Sequence, residues 1–357
     1  LPEMFSGFRS NRESKACFSC GSSIQGGQTF ITLPNGKVFH TTCFTCSFCG
    51  HVIADSYSTK KGAGAGPGLQ PEVESYYHRD CYQQAFAPEC CVCHEKLLPD
   101  REGLIHYSTT PYWGQKFCTR HATDGTKRCF ACNRMESYRE RHLVVQEKRQ
   151  RGVGGGRAIC LSCCESIVAS STDVGVIYSD MVQFFRTNGL SLPFNLPIHL
   201  VETDALNEAN RRQRGHSTMG LTLTEQRTTV KHSMFNSPEV VSKRNEVSAI
   251  LILCQMPRLL FCSVLAHECT HAYFKLQYFP SIKLQIEEGL CQLMAYLWLK
   301  QEVTTSDEQE KQKIYHMNKI FEEESEIYGE GFRMCFAAFN KYGLRNVMNH
   351  VKLSSTL

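Results

Sequence analysis

The sequence has 357 residues, which is enough for two or three domains with at least one sizeable hydrophobic core. Hydrophobic residues make up 42% of the chain and charged residues 21%, an ordinary globular mixture. The formal net charge is +4, which is too small to indicate a nucleic-acid or membrane-surface partner.

The first residues, Leu1 to Asn11, lack the apolar core of a secretory signal peptide. The chain has 20 cysteines, of which 15 precede residue 165. Most of these occur in C-x-x-C or H-x-x-C pairs, a spacing typical of metal ligands rather than of disulfides. Thiolate–zinc sites persist in the reducing cytosol, where disulfides are rare. We therefore expect a location in the cytoplasm, with the nucleus as an alternative.

Eight metal-ligand candidates form four pairs between residues 17 and 81. Because structural zinc takes four Cys or His ligands, these pairs can hold two ions. The first ion is assigned to Cys17, Cys20, His40 and Cys43, and the second to Cys46, Cys49, His78 and Cys81. The segment HTTCFTCSFCG, residues 40–50, resembles the centre of a LIM domain, in which an aromatic such as Phe44 packs between the two zinc modules. We expect a LIM domain over residues 15–85, with the insert KGAGAGPG, residues 61–68, in a surface loop.

Eight further candidates follow between residues 90 and 163. They are Cys90, Cys93, Cys118, His121, Cys129, Cys132, Cys160 and Cys163. The pattern is LIM-like, but its middle ligands are further apart, and the pairing within this set stays open. Cys91 and Cys164 adjoin ligands and could replace a neighbour, and the stretch RGVGGGRA, residues 151–158, falls between ligand pairs. We expect a LIM-like double-zinc module over residues 86–165, folded by its metals and presenting surfaces to protein partners.

The remainder, residues 166–357, has the helix and strand patterns of a larger domain. The predicted elements are a helix from Ser166 to Phe185, a strand at 196–201, a short helix from Asp204 capped by Thr203, strands at 219–226 and 248–255, and a helix opened by Pro257. The apolar stretch from Ala249 to Ala266 is interrupted by Gln255, Pro257 and Arg258. This interruption favours a buried strand followed by a helix over a membrane span.

The last of these helices contains HECTH. His267 and His271 are four residues apart, so both imidazoles leave one face of the helix and can bind one zinc. Glu268 is placed to act as general base on a water whose pKa the metal lowers. A catalytic site also needs a third protein ligand, and Glu288, in a helix at 286–298, is the best candidate. Glu287 is the alternative, and it could instead orient an imidazole N–H.

The pattern does not single out the group that stabilises the developing oxyanion. Tyr328 is the first candidate, because a phenol can donate a hydrogen bond to such an oxyanion. The other candidates are His199, His216, His232 and Arg333. HExxH also arises by chance on helix surfaces, but the apolar surroundings here make uncompensated polar side chains costly and favour a metal site.

The order of modules resembles that of the plant LIM-peptidases of the DA-one and DA-one-related (DAR) group. The resemblance runs from about residue 17 to residue 345, in stretches such as YHRDCYQQAFAPEC, RCFACNRME, LVETDALNEA, LAHECTHAYFKL and EEGLCQLMAYLWL. It implies an α+β fold class, with N-terminal zinc-ribbon-like LIM and LIM-like modules followed by a gluzincin-type (HExxH) metallopeptidase domain. It also implies one catalytic and four structural Zn²⁺ ions, with His267, His271 and Glu288 as the catalytic ligands and Glu268 as the base.

The same resemblance implies a ubiquitin-activated endopeptidase that cleaves ubiquitin ligases and other growth regulators, and so limits cell proliferation and organ growth. Its expected partners are these protein substrates and ubiquitin, without nucleic acid or membrane, and the oligomeric state is open. An acidic ubiquitin-interacting helix of the kind that members often carry before the LIM domain is not recognisable in this sequence. The alternative is a catalytically idle scaffold or an immune-receptor-associated sensor module. An aminopeptidase ranks lower, because no anchor for an N-terminal amine is apparent.

Overall fold

The structure, a computed structural model, describes residues 16–61, 74–102, 104–145, 156–210, 219–231 and 239–357, with the side chains of 226–244 left out. Of the two glycine-rich inserts, all but Lys61 and residues 156–158 lie outside these ranges. The chain divides into two compact units. The N-terminal unit runs to Thr109 and includes Gln115–Gly125, and the C-terminal unit comprises Thr110–Gly114 and everything from Thr126 onward.

The N-terminal unit consists of short antiparallel hairpins. Its elements are β1 (Phe30–Thr32), β2 (Val38–His40), β3 (Tyr57–Lys61), β4 (Glu74–His78), α1 (Arg79–Phe86), β5 (Ser108–Thr109), β6 (Lys116–Phe117) and a 3₁₀ turn at Thr119–Ala122. β1 pairs with β2, β3 with β4, and β5 with β6. Phe44 is buried, and its ring centroid lies 5.2 Å from that of Phe39 on β2 and 5.2 Å from that of Tyr76 on β4. The expected aromatic contact between the two halves of the LIM domain is therefore present.

The C-terminal unit mixes a small sheet with several helices. Its strands are β7 (Leu143–Val145), β8 (Arg157–Ile159), β9 (Ile167–Val168), β10 (Ile198–Val201), β11 (Gly220–Lys231), β12 (Glu239–Leu253) and β13 (Met256–Pro257). β12 lies in the centre of the sheet, with β10 parallel to it on one side and β11 antiparallel on the other. β7 pairs with β8, and β9 pairs with β13.

The helices of this unit form its larger core. They are α2 (Leu161–Cys164), α3 (Ser171–Thr187), α4 (Thr203–Ala209), α5 (Arg258–Leu276), α6 (Leu284–Gln301), α7 (Asp307–Phe321), α8 (Gly331–Tyr342) and α9 (Leu344–Ser354), with one π-helical turn at Glu326–Glu330. The apolar stretch from Ala249 to Ala266 forms the end of β12, β13 and the start of α5, as predicted. No helix within the described ranges is long and apolar enough to cross a membrane.

Two predicted helix starts were wrong. α3 begins after Ser170, not at Ser166, because Ser170 and Asp173 form a capping box and the preceding β-branched residues pair as β9. The short helix α4 already includes Thr203, and its N-cap residue Glu202 makes no side-chain capping hydrogen bond. The strand predicted at 219–226 extends to Lys231, and the strand predicted at 248–255 begins at Glu239.

Helices α6 and α8 touch at the level of their backbones. A Cβ atom added to Gly289 of α6 would lie 2.3 Å from the carbonyl oxygen of Gly331. A Cβ atom added to Gly331 would lie 2.3 Å from the carbonyl oxygen of Gln285. The close crossing that positions the start of α6 is therefore possible only with glycine at both places.

The two ligand groups of the predicted LIM-like module fall in different compact units. Residues 90–121, apart from Thr110–Gly114, belong to the N-terminal unit, whereas Cys129, Cys132, Cys160 and Cys163 are part of the hydrophobic core of the C-terminal unit. The division into functional domains at 85/86 and 165/166 remains a prediction. In the division into compact units, however, the segment from Thr126 to Glu165 lies in the same unit as the helices that follow it.

Candidate metal centres and active site

Sixteen Cys and His residues gather into four groups of four, in each of which the ligand atoms lie within 4.8 Å of one another. We call these groups site I (Cys17, Cys20, His40, Cys43), site II (Cys46, Cys49, His78, Cys81), site III (Cys90, Cys93, Cys118, His121) and site IV (Cys129, Cys132, Cys160, Cys163). The groups coincide with the predicted pairs, and they resolve the pairing that the spacing of the second set left open. Cys91 and Cys164 lie outside them.

The dimensions of these groups fit zinc. A tetrahedral ion with Zn–S near 2.3 Å and Zn–N near 2.0 Å separates two sulfurs by about 3.8 Å, and a sulfur from a nitrogen by about 3.5 Å. The Sγ···Sγ distance is 3.8 Å between Cys93 and Cys118 in site III, and 3.6 Å between Cys132 and Cys160 in site IV. In sites I and II, cysteine Sγ atoms lie 3.5 and 3.4 Å from histidine Nδ1. All four sites therefore have the size and the ligand chemistry of structural zinc.

Backbone N–H groups prepare the first cysteine of three sites for metal binding. Cys17 Sγ accepts from the N–H of His40, Cys46 Sγ from that of His78, and Cys90 Sγ from that of Cys118, each at 3.4 Å. Burial works against ionisation, but backbone N–H groups lower the pKa of Cys17 and Cys46 to about 6 and that of Cys90 to about 7. The largest lowering comes from the N–H of the second cysteine in each C-x-x-C pair, and the donors named above add to it. The thiolate is the form that binds a metal, so the fold favours the ligand state.

A fifth group of possible ligands lies where α5 meets α6. The Nε2 atoms of His267 and His271 are 3.3 Å apart. Glu288 Oε2 lies 3.1 Å from the first of these atoms and 3.5 Å from the second. A tetrahedral zinc with ligand distances near 2.0–2.1 Å has edges of about 3.3–3.4 Å. The three atoms therefore form a triangle with the dimensions of one face of a zinc tetrahedron.

Glu288 also carries an unsatisfied atom that a cation would explain. Its Oε2 is buried and makes no hydrogen bond within the described chain, although both imidazoles lie close to it. Burial opposes ionisation, but His267 and His271 hold the pKa of Glu288 well below its usual range. A buried carboxylate oxygen between two imidazole nitrogens fits a shared metal ion better than it fits a hydrogen-bonded cluster.

The neighbouring Glu287 occupies a different position. Its Oε1 lies 3.0 Å from Nδ1 of His271, on the side of the ring away from the metal triangle. A carboxylate on Nδ1 fixes the tautomer that presents Nε2 to a metal. Glu288 thus lies beside both Nε2 atoms, whereas the alternative candidate, Glu287, lies on the opposite side of the His271 ring.

The spacing did not draw attention to Cys291, which the structure adds to this group. Its Sγ falls within 4.8 Å of the two histidine ligand atoms, because Glu288 and Cys291 are three residues apart on one face of α6. Burial raises the pKa of Cys291 to about 12, so the protonated thiol is the favoured form. The i, i+3 spacing on α6 is the sequence signal that could have revealed it.

The candidate general base is held against strand β11. The hydroxyl of Thr222 donates to Glu268 Oε2 at 2.7 Å and lies 3.0 Å from the Glu268 carbonyl oxygen. A Cβ atom on Gly220 would lie 2.7 Å from Glu268 Cγ, so the carboxylate fits there because the strand carries glycine. Gly220 and Thr222 were missed in the sequence, since no local pattern links them to a helix 46 residues away.

The oxyanion candidates differ in position. Tyr328 is half-buried in the π-helical turn, where Ser325 Oγ accepts from its backbone N–H. Burial raises the pKa of its phenol, and the Glu288 and Glu268 carboxylates act in the same direction, which places the phenol in the electrostatic field of the site.

The other oxyanion candidates have weaker support. Arg333 donates to the carbonyl oxygens of Phe321 and Glu323 and so holds the loop before the turn. His199 is exposed on β10, across the sheet from β11. His216 and His232 lie outside the described residues.

Known proteins are similar to this chain over almost all of its length. A DA1-like family model (Protein DA1) matches residues 189–315 and 300–354, and a LIM domain model matches residues 17–63. LIM domain-containing protein HDR3 from Oryza sativa subsp. japonica is 31% identical over 394 residues, which cover 96% of this chain and 74% of that protein. The chain belongs to the DA1 and DA1-related family.

Relatives from Arabidopsis thaliana extend the same comparison. Protein DA1 is 31% identical and covers 95% of this chain, and Protein DA1-related 1 is 31% identical and covers 96%. The chain spans 67% and 66% of their respective lengths. The family resemblance and the fold class, a LIM domain followed by a DA1-like domain of helices and strands, are confirmed. Sites III and IV lie between the two model matches, in a part of this DA1-family chain that neither model covers.

Proposed function

We propose that this DA1-family protein is a zinc-dependent endopeptidase whose catalytic metal is held by His267, His271 and Glu288. The observation that carries the proposal is the triangle of two imidazole nitrogens and one carboxylate oxygen, with edges of 3.1, 3.3 and 3.5 Å. Three protein ligands of this kind are typical of catalytic rather than structural zinc, which takes four. Sites I to IV supply the four structural zinc ions of the same proposal.

The residues around the triangle have the roles that peptide hydrolysis requires. Zinc, when bound, supplies a Lewis acid for a substrate carbonyl and for a water. Glu268 takes the proton of the attacking water and returns it to the leaving amine, while Thr222 holds its Oε2. Glu287 keeps His271 in the tautomer that presents Nε2. Tyr328 donates a hydrogen bond from its phenol to the oxyanion that develops on the substrate.

Strand β11 favours an extended peptide as the substrate. Among the described strands it pairs with β12 alone, so it forms one edge of the sheet. A substrate strand that pairs with the other edge of β11 runs past Gly220 and Thr222, and therefore past Glu268. Binding through main-chain hydrogen bonds needs no free chain terminus, which supports an endopeptidase over an aminopeptidase.

The biological part of the proposal follows from family membership. LIM domains generally bind proteins, and we assign that role to sites I and II with their hairpins. We propose that the substrates are intracellular regulatory proteins, in particular ubiquitin ligases. We propose ubiquitin as an activating partner. The outcome of cleavage would be a limit on cell proliferation and organ growth. The proposed location is the cytoplasm, with the nucleus as an alternative.

The test compares the wild-type chain with Glu268→Gln, with zinc counted in both proteins and casein as a general substrate. We expect about five zinc ions in each protein and a loss of cleavage by a factor of about 10² to 10⁴ in the variant, the usual contribution of a general base. Equal cleavage by the two proteins would refute the catalytic assignment of Glu268.

One observation favours the alternative of an idle scaffold or sensor module. Cys291 Sγ forms a group with His267 and His271 that does not include Glu288, and a thiolate bound there would replace Glu288 or close the site. In that case the wild-type protein binds zinc and cleaves nothing. A count of four zinc ions without cleavage would support the scaffold function as well.

A further inference from the structure

Site IV is built into the core of the catalytic unit. Cys129, Cys132, Cys160 and Cys163 are at most 2% exposed, and they share one hydrophobic core with α5 and α6. By contrast, sites I and II each include an exposed cysteine, Cys20 and Cys49, and lie in the other compact unit. The cysteines of a centre buried in this way are almost inaccessible to a protein partner.

The segment that follows site IV in the chain accepts a hydrogen bond from the start of the HECTH helix. Three residues after Cys163, the carbonyl oxygen of Ser166 accepts the backbone N–H of Arg258, the first residue of α5, at 2.8 Å. Pro257, the N-cap residue of α5, makes no side-chain capping hydrogen bond, so Ser166 satisfies a donor that the helix leaves open. The next two residues form β9 and pair with β13, directly before the helix.

A second connection runs from the hairpin that precedes Cys160. Arg157 on β8 donates through a terminal guanidinium nitrogen to the carbonyl oxygen of Cys254 at 2.9 Å. Cys254 lies in the short turn between β12 and β13. The guanidinium of Arg157 also lies 4.5 Å from the ring centroid of Phe130, which is next to the ligand Cys129. Both ends of the turn that leads into α5 are therefore held by Arg157 and Ser166, each of which lies three residues from a site IV ligand.

The other side of site IV is fastened to α7. Trp113 donates from its indole nitrogen to the carbonyl oxygen of the ligand Cys132 at 2.8 Å, and its ring lies 5.6 Å from that of Tyr315 on α7. The guanidinium of Arg134 stacks 3.5 Å from the Trp113 centroid and pairs with Glu308, also on α7. Site IV thus joins the start of α5 to α7 through groups attached directly to its ligand loops.

We propose that site IV is a structural metal centre of the catalytic domain, which caps and seats the HECTH helix, rather than part of a partner-binding LIM-like module. Metal binding there positions α5, and with it His267 and His271, before the catalytic ion binds. The structural part of this inference stands without peptidase activity, and only its consequence for catalysis rests on the proposed function.

The test uses three full-length variants: Cys163→Ala in site IV, Cys17→Ala in site I as the matched control, and Arg157→Met. Readouts are zinc per chain, amide hydrogen exchange along α5, and the zinc affinity of the catalytic site by chelator competition. We expect Cys163→Ala to weaken catalytic zinc by about tenfold or more, in the range seen when metal-supporting residues are lost, and to speed exchange at the start of α5. Cys17→Ala should lose one zinc and leave α5 unchanged.

Arg157→Met keeps all four thiols, so it tests the connection even if Cys163→Ala does not fold. It should retain the site IV zinc and still speed exchange at the start of α5. Unchanged α5 exchange in both Cys163→Ala and Arg157→Met would overturn the proposal, as would equal loss of catalytic zinc in Cys163→Ala and Cys17→Ala. A wild-type protein that cleaves nothing but shows the expected exchange pattern would contradict the proposed function alone.

Discussion

The hydroxyl of Thr222 donates a 2.7 Å hydrogen bond to Oε2 of Glu268 and so ties the candidate general base to the edge strand of the sheet. Glu268 is 7% exposed, and its Cγ lies against the backbone of Gly220, where a Cβ atom would come within 2.7 Å. A buried polar group is costly without a hydrogen-bond partner, and this donor also fixes the position of the carboxylate. Strand β11 is therefore both the edge that a substrate can pair with and the support of the base.

Removal of the Thr222 hydroxyl should impair catalysis without loss of metal. We expect Thr222→Val to lower kcat by about tenfold to a hundredfold, since a hydrogen bond to a charged group contributes about 1.5–3 kcal/mol. KM and zinc content should stay unchanged, and Thr222→Ser should restore activity. Thr224→Val, the same change at an exposed position of β11, is the control. Full activity in Thr222→Val would show that Glu268 needs no support from the strand.

The third metal ligand can be identified by comparing three residues of α6. Glu288→Gln should weaken the catalytic zinc strongly, whereas Cys291→Ala should leave its affinity within a few fold. Glu287→Gln should have an intermediate effect of about tenfold to a hundredfold, as expected for the loss of a residue that orients a ligand. Zinc affinity is measured by chelator competition on each full-length variant. Strong zinc loss in Cys291→Ala with little change in Glu288→Gln would reverse the assignment.

The backbone contact between α6 and α8 should tolerate no side chain at Gly289. A Cβ atom there meets the Gly331 carbonyl oxygen at 2.3 Å, so we expect Gly289→Ala to lower the free energy of unfolding by about 1–3 kcal/mol or more. Gly175→Ala in α3, where a Cβ meets no atom within 4 Å, should instead raise it by about 0.5–1 kcal/mol. Denaturant unfolding measures both, and equal effects would contradict the close crossing.

The link between site IV and α7 should depend on Arg134. Its side chain is 16% exposed, stacks on Trp113 and pairs with Glu308. We expect Arg134→Met to destabilise the C-terminal unit by about 1–3 kcal/mol, because it removes a largely buried guanidinium that stacks on Trp113 and pairs with Glu308. Arg141→Met is the control, since that side chain is 81% exposed and its ion pair with Glu136 should contribute less than about 1 kcal/mol. Similar thermal shifts in the two variants would argue against the link.

Local spacing predicted which residues form the metal groups, but it did not predict contacts between residues that are far apart in the sequence. The C-x-x-C pairs and the i, i+4 histidines of HECTH are short-range patterns, so their geometry follows from a turn or from one helical face. The contact between Thr222 and Glu268 joins a strand to a helix 46 residues later, and nothing local encodes it. The capping of Arg258 by Ser166 is also a long-range contact, whereas the prediction that site IV belongs to the module before it used only the spacing of the ligands. The predicted helix start at Ser166 was wrong for a similar reason: Ser166 lies in a turn, and the next two residues pair with the distant strand β13 as β9.

The most direct test of an open catalytic zinc site is the location of zinc in crystals of the chain by anomalous diffraction at the zinc absorption edge. We expect zinc at sites I to IV and a fifth ion within about 2.0–2.2 Å of His267 Nε2, His271 Nε2 and Glu288 Oε2, with no protein atom at its fourth position. The absence of this fifth ion, or Cys291 Sγ bound at its fourth position, would contradict the assignment of a catalytic site.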